Sequence, residues 1–203
     1  MNGGEERDTD VRALKAKLRA EAAARRAHIA PDQAAAAARA VRDRVLAASL
    51  APQDAVVSGF WPIRDEFDPR PLMEALAARG HRLCLPVVIG QGRALAFRAW
   101  APGDPLERAG FGLSVPGWDA PPAIPDFLIV PLLAFDRSCH RLGYGAGYYD
   151  RTIAALRAGG KPAFALGVGF ALQEVPQVPA TARDQRLDAV ATERELIRRA
   201  DFL

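Results

Sequence analysis

The 203-residue chain is half hydrophobic and one quarter charged, with a net charge of +3. That balance suits one globular domain with a sizeable core. It excludes a collagen-like or disordered chain, and without a long Lys/Arg block it excludes a nucleic-acid tail. Two cysteines, Cys84 and Cys139, are too few for a disulfide framework. No stretch approaches the roughly 20 apolar residues of a membrane span, and the polar N-terminus carries no apolar signal core. A cytoplasmic protein is expected.

Residues 1–7 are expected to be disordered, and residues 8–203 to form one domain. Asp8 or Thr9 caps a first helix reaching about His28, with Val11, Leu14 and Leu18 as its buried stripe. Lys15 and Arg19 are four apart and share one face beside that stripe. A second helix from Pro31 to about Leu50 reads as packing through Ala37, Val41 and Val45.

DAVVSGFW, Asp54 to Trp61, reads as a strand followed by the polar loop PIRDEFD. In open α/β sheets ligands gather beyond the carboxyl ends of strands, which puts Glu66 in a favourable place. Glu66 either binds a ligand there or pairs with Arg64 or Arg70. Trp61 either stacks on a flat ring or belongs to the core. Asp68 caps a helix over Pro69 to Ala78, ended by Gly80. Strands follow at His81 to Val88 and Leu95 to Trp100. Cys84 is read as a small buried hydrophobe. Pro and Gly crowd residues 102–125, which predicts a long loop or lid.

FLIVPLLAF, Phe127 to Phe135, is a strongly apolar strand. RLGYGAGYYDR, Arg141 to Arg151, follows with glycines at 143, 145 and 147. A helix runs from roughly Gly147 to Ala158 and stops at Gly159 and Gly160. Strand, glycine loop and helix start together suit a phosphate. Glycine permits close backbone approach, the helix start offers unpaired N–H groups, and Arg141 and Arg151 add charge. Asp150, in the helix's first turn, can hold a Mg²⁺ that bridges phosphates. Neither GxGxxG nor GK[ST] is present, and a glycine turn that merely packs helix on sheet is the alternative. Cys139 and His140 receive no catalytic role. Phe164 to Val168 and Asp188 to Thr192 are the last strands. Between them ARDQRLD carries the acid pair Asp184 and Asp188, for which surface pairing with Arg183 and Arg186 is one reading.

PLLAFDRSCHRLGYGAGYYDR, Pro131 to Arg151, closely resembles the signature of the 5-formyltetrahydrofolate cyclo-ligase family. The likeness extends from about Lys15 to Asp188. It implies a three-layer α/β/α domain, similar to the ribose-phosphate isomerase and CoA-transferase-like group. It implies an ATP- and Mg²⁺-dependent ligase acting on 5-formyltetrahydrofolate; a monomer is expected. By the resemblance, KxxLR makes Lys15 and Arg19 ATP contacts. Arg141, Leu142, Gly143, Tyr144, Gly145, Ala146, Gly147, Tyr148 and Tyr149 join them around the triphosphate. Trp61, Glu66 and Tyr144 to Tyr148 border the folate. Arg141 and Tyr148 are the catalytic candidates, Asp150 and Asp184 the metal ligands, and Gln173 matches a recurrent site glutamine. Val115 stands where the family often has Glu, and Arg183 where it often has His. A folate-binding protein without turnover, or another ATP-dependent amide- or acid-activating enzyme, is the competing expectation.

Overall fold

The computed structural model describes residues 3–160 and 163–200, with the side chains of residues 3–9 and 111 outside the description. Seven strands form one sheet in the order β11-β10-β9-β6-β1-β2-β3. They are β1 (Val56–Ser58), β2 (Arg82–Val87), β3 (Ala96–Ala99), β6 (Phe127–Pro131), β9 (Phe164–Val168), β10 (Ala189–Ala191) and β11 (Leu196–Arg198). The five inner strands pair in parallel, and β3 and β11 close the edges antiparallel.

Parallel strands are buried on both faces, and the side-chain period of two divides them between two cores. Phe127 and Ile129 enter one core, with Val41 and Val45 of α2 (Pro31–Ala47) and Leu72, Met73 and Leu76 of α3 (Arg70–Ala78). Leu128 and Val130 enter the other, with Ile153 of α4 (Tyr148–Ala158). The result is helices on both faces of a mixed, mostly parallel sheet. A buried Leu or Ile contributes about 1.5–3 kcal/mol relative to exposure. Such side chains fill β6 on both faces, so the strand that leads to the glycine loop is rigid.

α1 (Gly3–Arg26) starts earlier than a cap at Asp8 or Thr9, so residues 3–7 are helical where disorder was expected. Residues 1–2 lie outside the described residues. The apolar run at 127–135 is not one strand. It breaks after Pro131, and β7 (Ala134–Phe135) pairs with β8 (Arg141–Leu142) as a separate ribbon that aims the glycine loop. The 102–125 segment holds a hairpin rather than only loop: β4 (Leu106–Arg108) pairs with β5 (Ser114–Pro116) across a 3₁₀ turn. Three-residue strands are too short to show alternation against a Pro/Gly-rich background.

Chain order runs outward from β1 to β2, returns to β6 beside β1, then runs outward again to β9 and β10. The order therefore reverses between β1 and β6, the switch point where open sheets bind ligands.

Candidate active site

A cavity of about 780 Å³ lies beyond the carboxyl ends of β1, β2 and β6. Phe60, Trp61 and Glu66 reach it from the loop after β1, Pro86 and Val88 from β2, and Pro131 from β6. The glycine loop and α1 form the opposite wall. Apart from Gln173, the fifteen residues expected in the site line this one cavity, from Lys15 and Arg19 through the 141–150 segment to Asp184.

α1 explains how distant residues meet. Lys15, Arg19, Ala22 and Arg26 recur at helical spacing and form one face. Ala22 is buried beside Leu133, Ala134 and Leu142, and this small residue lets the helix come close. Lys15 Nζ then donates to both oxygens of Asp184, at 2.7 and 2.6 Å. Arg19 Nε donates to the Gly143 carbonyl at 2.9 Å. Arg26 Nη2 donates to the Tyr144 hydroxyl at 3.0 Å.

The loop needs its glycines at two places. Gly145 has φ +106° and Gly147 φ +68°, backbone that L side chains rarely adopt. A Cβ at Gly145 would also stand 3.3 Å from the Arg19 guanidinium carbon. Gly147 precedes the first turn of α4, whose leading N–H groups have no acceptor within the helix. Arg151 is spent on the loop itself, donating to the Ala146 carbonyl at 2.7 Å and to the Arg93 carbonyl at 3.1 Å. Arg141 is nearly buried beneath it, 3.0 Å from Asp150 Oδ2 and over the Tyr149 ring at 5.5 Å.

The two expected metal ligands are neighbours through Gln185, whose N–H donates to Asp150 Oδ1 at 3.1 Å. Each already holds a cation: Asp184 holds Lys15 and Asp150 holds Arg141. Burial works against the ionised Asp184, but hydrogen bonds from Lys15 and from the Thr181 backbone and hydroxyl hold its carboxyl below the usual range. Among the described residues no group of three or more His, Cys, Asp or Glu converges on one point. That donor set fits a Mg²⁺ that takes one or two carboxylates and completes its shell with phosphate oxygens and water.

Glu66 is not a partner of Arg70, which pairs with Asp68 at 2.7 Å. Burial pushes the Glu66 carboxyl up, while the Ile63 N–H at 2.9 Å and the Tyr144 hydroxyl pull it back. Trp61 packs edge-on against Trp100 at 5.7 Å and still faces the cavity.

Three expectations fail. Gln173 is fully buried and donates to the Leu132 and Leu133 carbonyls, bracing the β6–β7 turn instead of facing the cavity. Asp188 is buried with Arg157 and Arg199, not at the surface. Asp184 pairs with neither Arg183 nor Arg186 but with Lys15 across the chain. Burial pushes the Cys84 thiol up to about 12 and the Cys139 thiol up to about 11, so neither is a nucleophile at neutral pH. Sequence reasoning missed Arg26, although it sits seven residues after Arg19 on the same helix face. It also missed Thr181 and the hairpin residues Leu113 and Ser114, which line the cavity beside Val115.

The family model of 5-formyltetrahydrofolate cyclo-ligases matches residues 11–193, almost the whole chain. The chain belongs to the 5-formyltetrahydrofolate cyclo-ligase family. Among similar proteins, the family's enzyme from Mycolicibacterium smegmatis is 34% identical over 134 residues, covering 61% of this chain and 67% of its own. The Escherichia coli K12 enzyme is 37% identical over 103 residues, covering 48% and 56%. The solved structure of Aquifex aeolicus 5,10-methenyltetrahydrofolate synthetase matches with a TM-score of 0.71 at 26% identity, covering 93% of this chain and 94% of that one. The Mycoplasma pneumoniae synthetase, at 20% identity and a TM-score of 0.69, shares the fold. As in any cyclo-ligase of this family, the enzyme is a ligase, and its fold matches those solved synthetases over nearly its whole length. None of the described helices is long and apolar enough to cross a membrane.

Proposed function

We propose that the protein converts 5-formyltetrahydrofolate and ATP to 5,10-methenyltetrahydrofolate, ADP and phosphate. The observation that carries this is the single cavity that unites a glycine loop, the cations of α1 and an aromatic-plus-acid pocket.

A formyl oxygen on N5 is a poor leaving group. The N5 lone pair drives that oxygen onto the γ-phosphorus, and ADP departs. The resulting iminium-like carbon bears phosphate. N10 attacks it and loses its proton, and phosphate leaves with the former formyl oxygen. Nothing here requires a nucleophilic side chain. The protein aligns three groups and neutralises charge.

Backbone N–H groups from Gly143 to Tyr149 cradle the triphosphate, and Lys15 and Arg19 neutralise it. Arg141, fixed by Asp150, stands beneath the loop as a cation of one orientation. Tyr148 borders the reacting groups. Glu66 accepts from the amino-pyrimidinone edge of the pterin and Trp61 stacks on it. Asp150 and Asp184 would hold Mg²⁺, which neutralises phosphate charge when bound. Asp184 would do so while sharing its carboxylate with Lys15. In this reading the reaction runs in one domain, acting as a cytoplasmic monomer.

The test is near-ultraviolet absorbance of the methenyl product in a mixture of protein, 5-formyltetrahydrofolate, Mg²⁺ and ATP. The reading expects a rise that requires ATP. Folate binding with no rise contradicts it.

A further inference from the structure

Arg26 ends α1 at 4% exposure, a guanidinium sealed away from water beside the cavity. A buried charge persists only if paired. Asp65 supplies the pairing, with two hydrogen bonds of 3.0 Å from Nε and Nη2. Nη2 donates a second time, to the Tyr144 hydroxyl at 3.0 Å. That hydroxyl accepts from Arg26 and stands close enough to the Glu66 carboxyl to favour its ionised form. Glu66 is fixed from its other side by the Ile63 N–H. The guanidinium thus fixes a hydroxyl, and the hydroxyl neighbours a carboxylate, so the first contact can polarise the second.

The three residues belong to three segments: the end of α1, the glycine loop and the loop after β1. The loop backbone has separate anchors in Arg19 on Gly143 and Arg151 on Ala146. Arg26 therefore adds nothing needed to shape the phosphate cradle. Its effect falls on where Tyr144 and Glu66 point. We infer that Arg26 is a positioning residue for the folate half of the site, holding Tyr144 so that its hydroxyl aims the Glu66 carboxylate at the substrate. This rests on the reading of Glu66 given under Proposed function.

The experiment measures, by calorimetry on the full chain, the affinity for 5-formyltetrahydrofolate and separately for ATP with Mg²⁺. Wild type, Arg26→Lys, Tyr144→Phe and the double variant are compared. Each single variant is expected to weaken folate about tenfold, the worth of a hydrogen bond to a charged group, with ATP within about twofold. The double variant is expected to be no weaker than the worse single one, because both changes cut one chain. Equal losses for both ligands, unchanged folate affinity, or additive losses near a hundredfold overturn the inference. If Arg26→Lys does not fold, Tyr144→Phe, half-exposed and keeping its ring, decides alone. Failure of the wild type to bind folate instead overturns the Glu66 reading, and this inference with it.

Discussion

Lys15 and Asp184 are 169 residues apart in sequence, yet Lys15 Nζ stands 2.6 and 2.7 Å from the two carboxylate oxygens. The pair ties α1 to the segment before β10 across the mouth of the cavity. Because the folded-state pKa of Asp184 is depressed, its contribution is present above the unfolded value of about 3.9 and is lost as pH falls through the folded one. Asp184→Asn should lower stability by about 1 kcal/mol at neutral pH, as for a partly exposed ion pair. The deficit should narrow below about pH 3. Urea midpoints at both pH values check this, and a deficit independent of pH counts against it.

Gly145→Ala should weaken ATP more than it weakens the fold. The new methyl meets φ +106° and the Arg19 guanidinium at once. Backbone strain costs about 1 kcal/mol in stability. Displacing both the loop and Arg19 should raise the KM for ATP about tenfold or more, because both proposed phosphate contacts shift together. Steady-state kinetics at varied ATP, beside a thermal melt, separates the two effects.

Glu66→Gln should make the protein more stable and less active. The Glu66 pKa is raised, so its stabilising influence is full below the unfolded value and is lost as pH rises through the folded one. At neutral pH the ionised carboxylate is thus a net cost. Its removal should gain about 1 kcal/mol there, and the gain should vanish below about pH 3, where both states are protonated. Folate turnover should fall. Melts at the two pH values and an activity assay test both halves.

Gln173→Ala should unfold the protein more readily without a selective effect on either substrate. It strands the Leu132 and Leu133 carbonyls and the Phe170 N–H in the core. Buried unsatisfied groups cost about 1–3 kcal/mol each, so a loss of about 3 kcal/mol or more is expected. Denaturant unfolding measures the loss, and KM values for both substrates should change in common.

The central sheet was legible because β6 and β9 are apolar runs bounded by turns, and β9 falls at Phe164–Val168 as expected. One wall of the candidate site was legible in part because its glycines, tyrosines and Asp150 are contiguous. What could not be read were partnerships across the chain. Nothing local distinguishes Asp184 held by Lys15 from Asp188 locked by Arg157 and Arg199, since both are acids among arginines. Gln173 looked like a site residue, but its amide is spent on two backbone carbonyls that only the break in the 127–135 strand exposes. Arg26 passed as one more cation in an arginine-rich helix, and its burial is a tertiary fact.

The most direct test follows one oxygen atom. 5-Formyltetrahydrofolate carrying a heavy-oxygen label in the formyl group is turned over with ATP and Mg²⁺, and the inorganic phosphate is analysed by mass. Phosphorylation of the formyl oxygen predicts that the label moves wholly into phosphate, with one ADP formed per methenyl product. Label appearing in water while phosphate stays unlabelled would contradict the account.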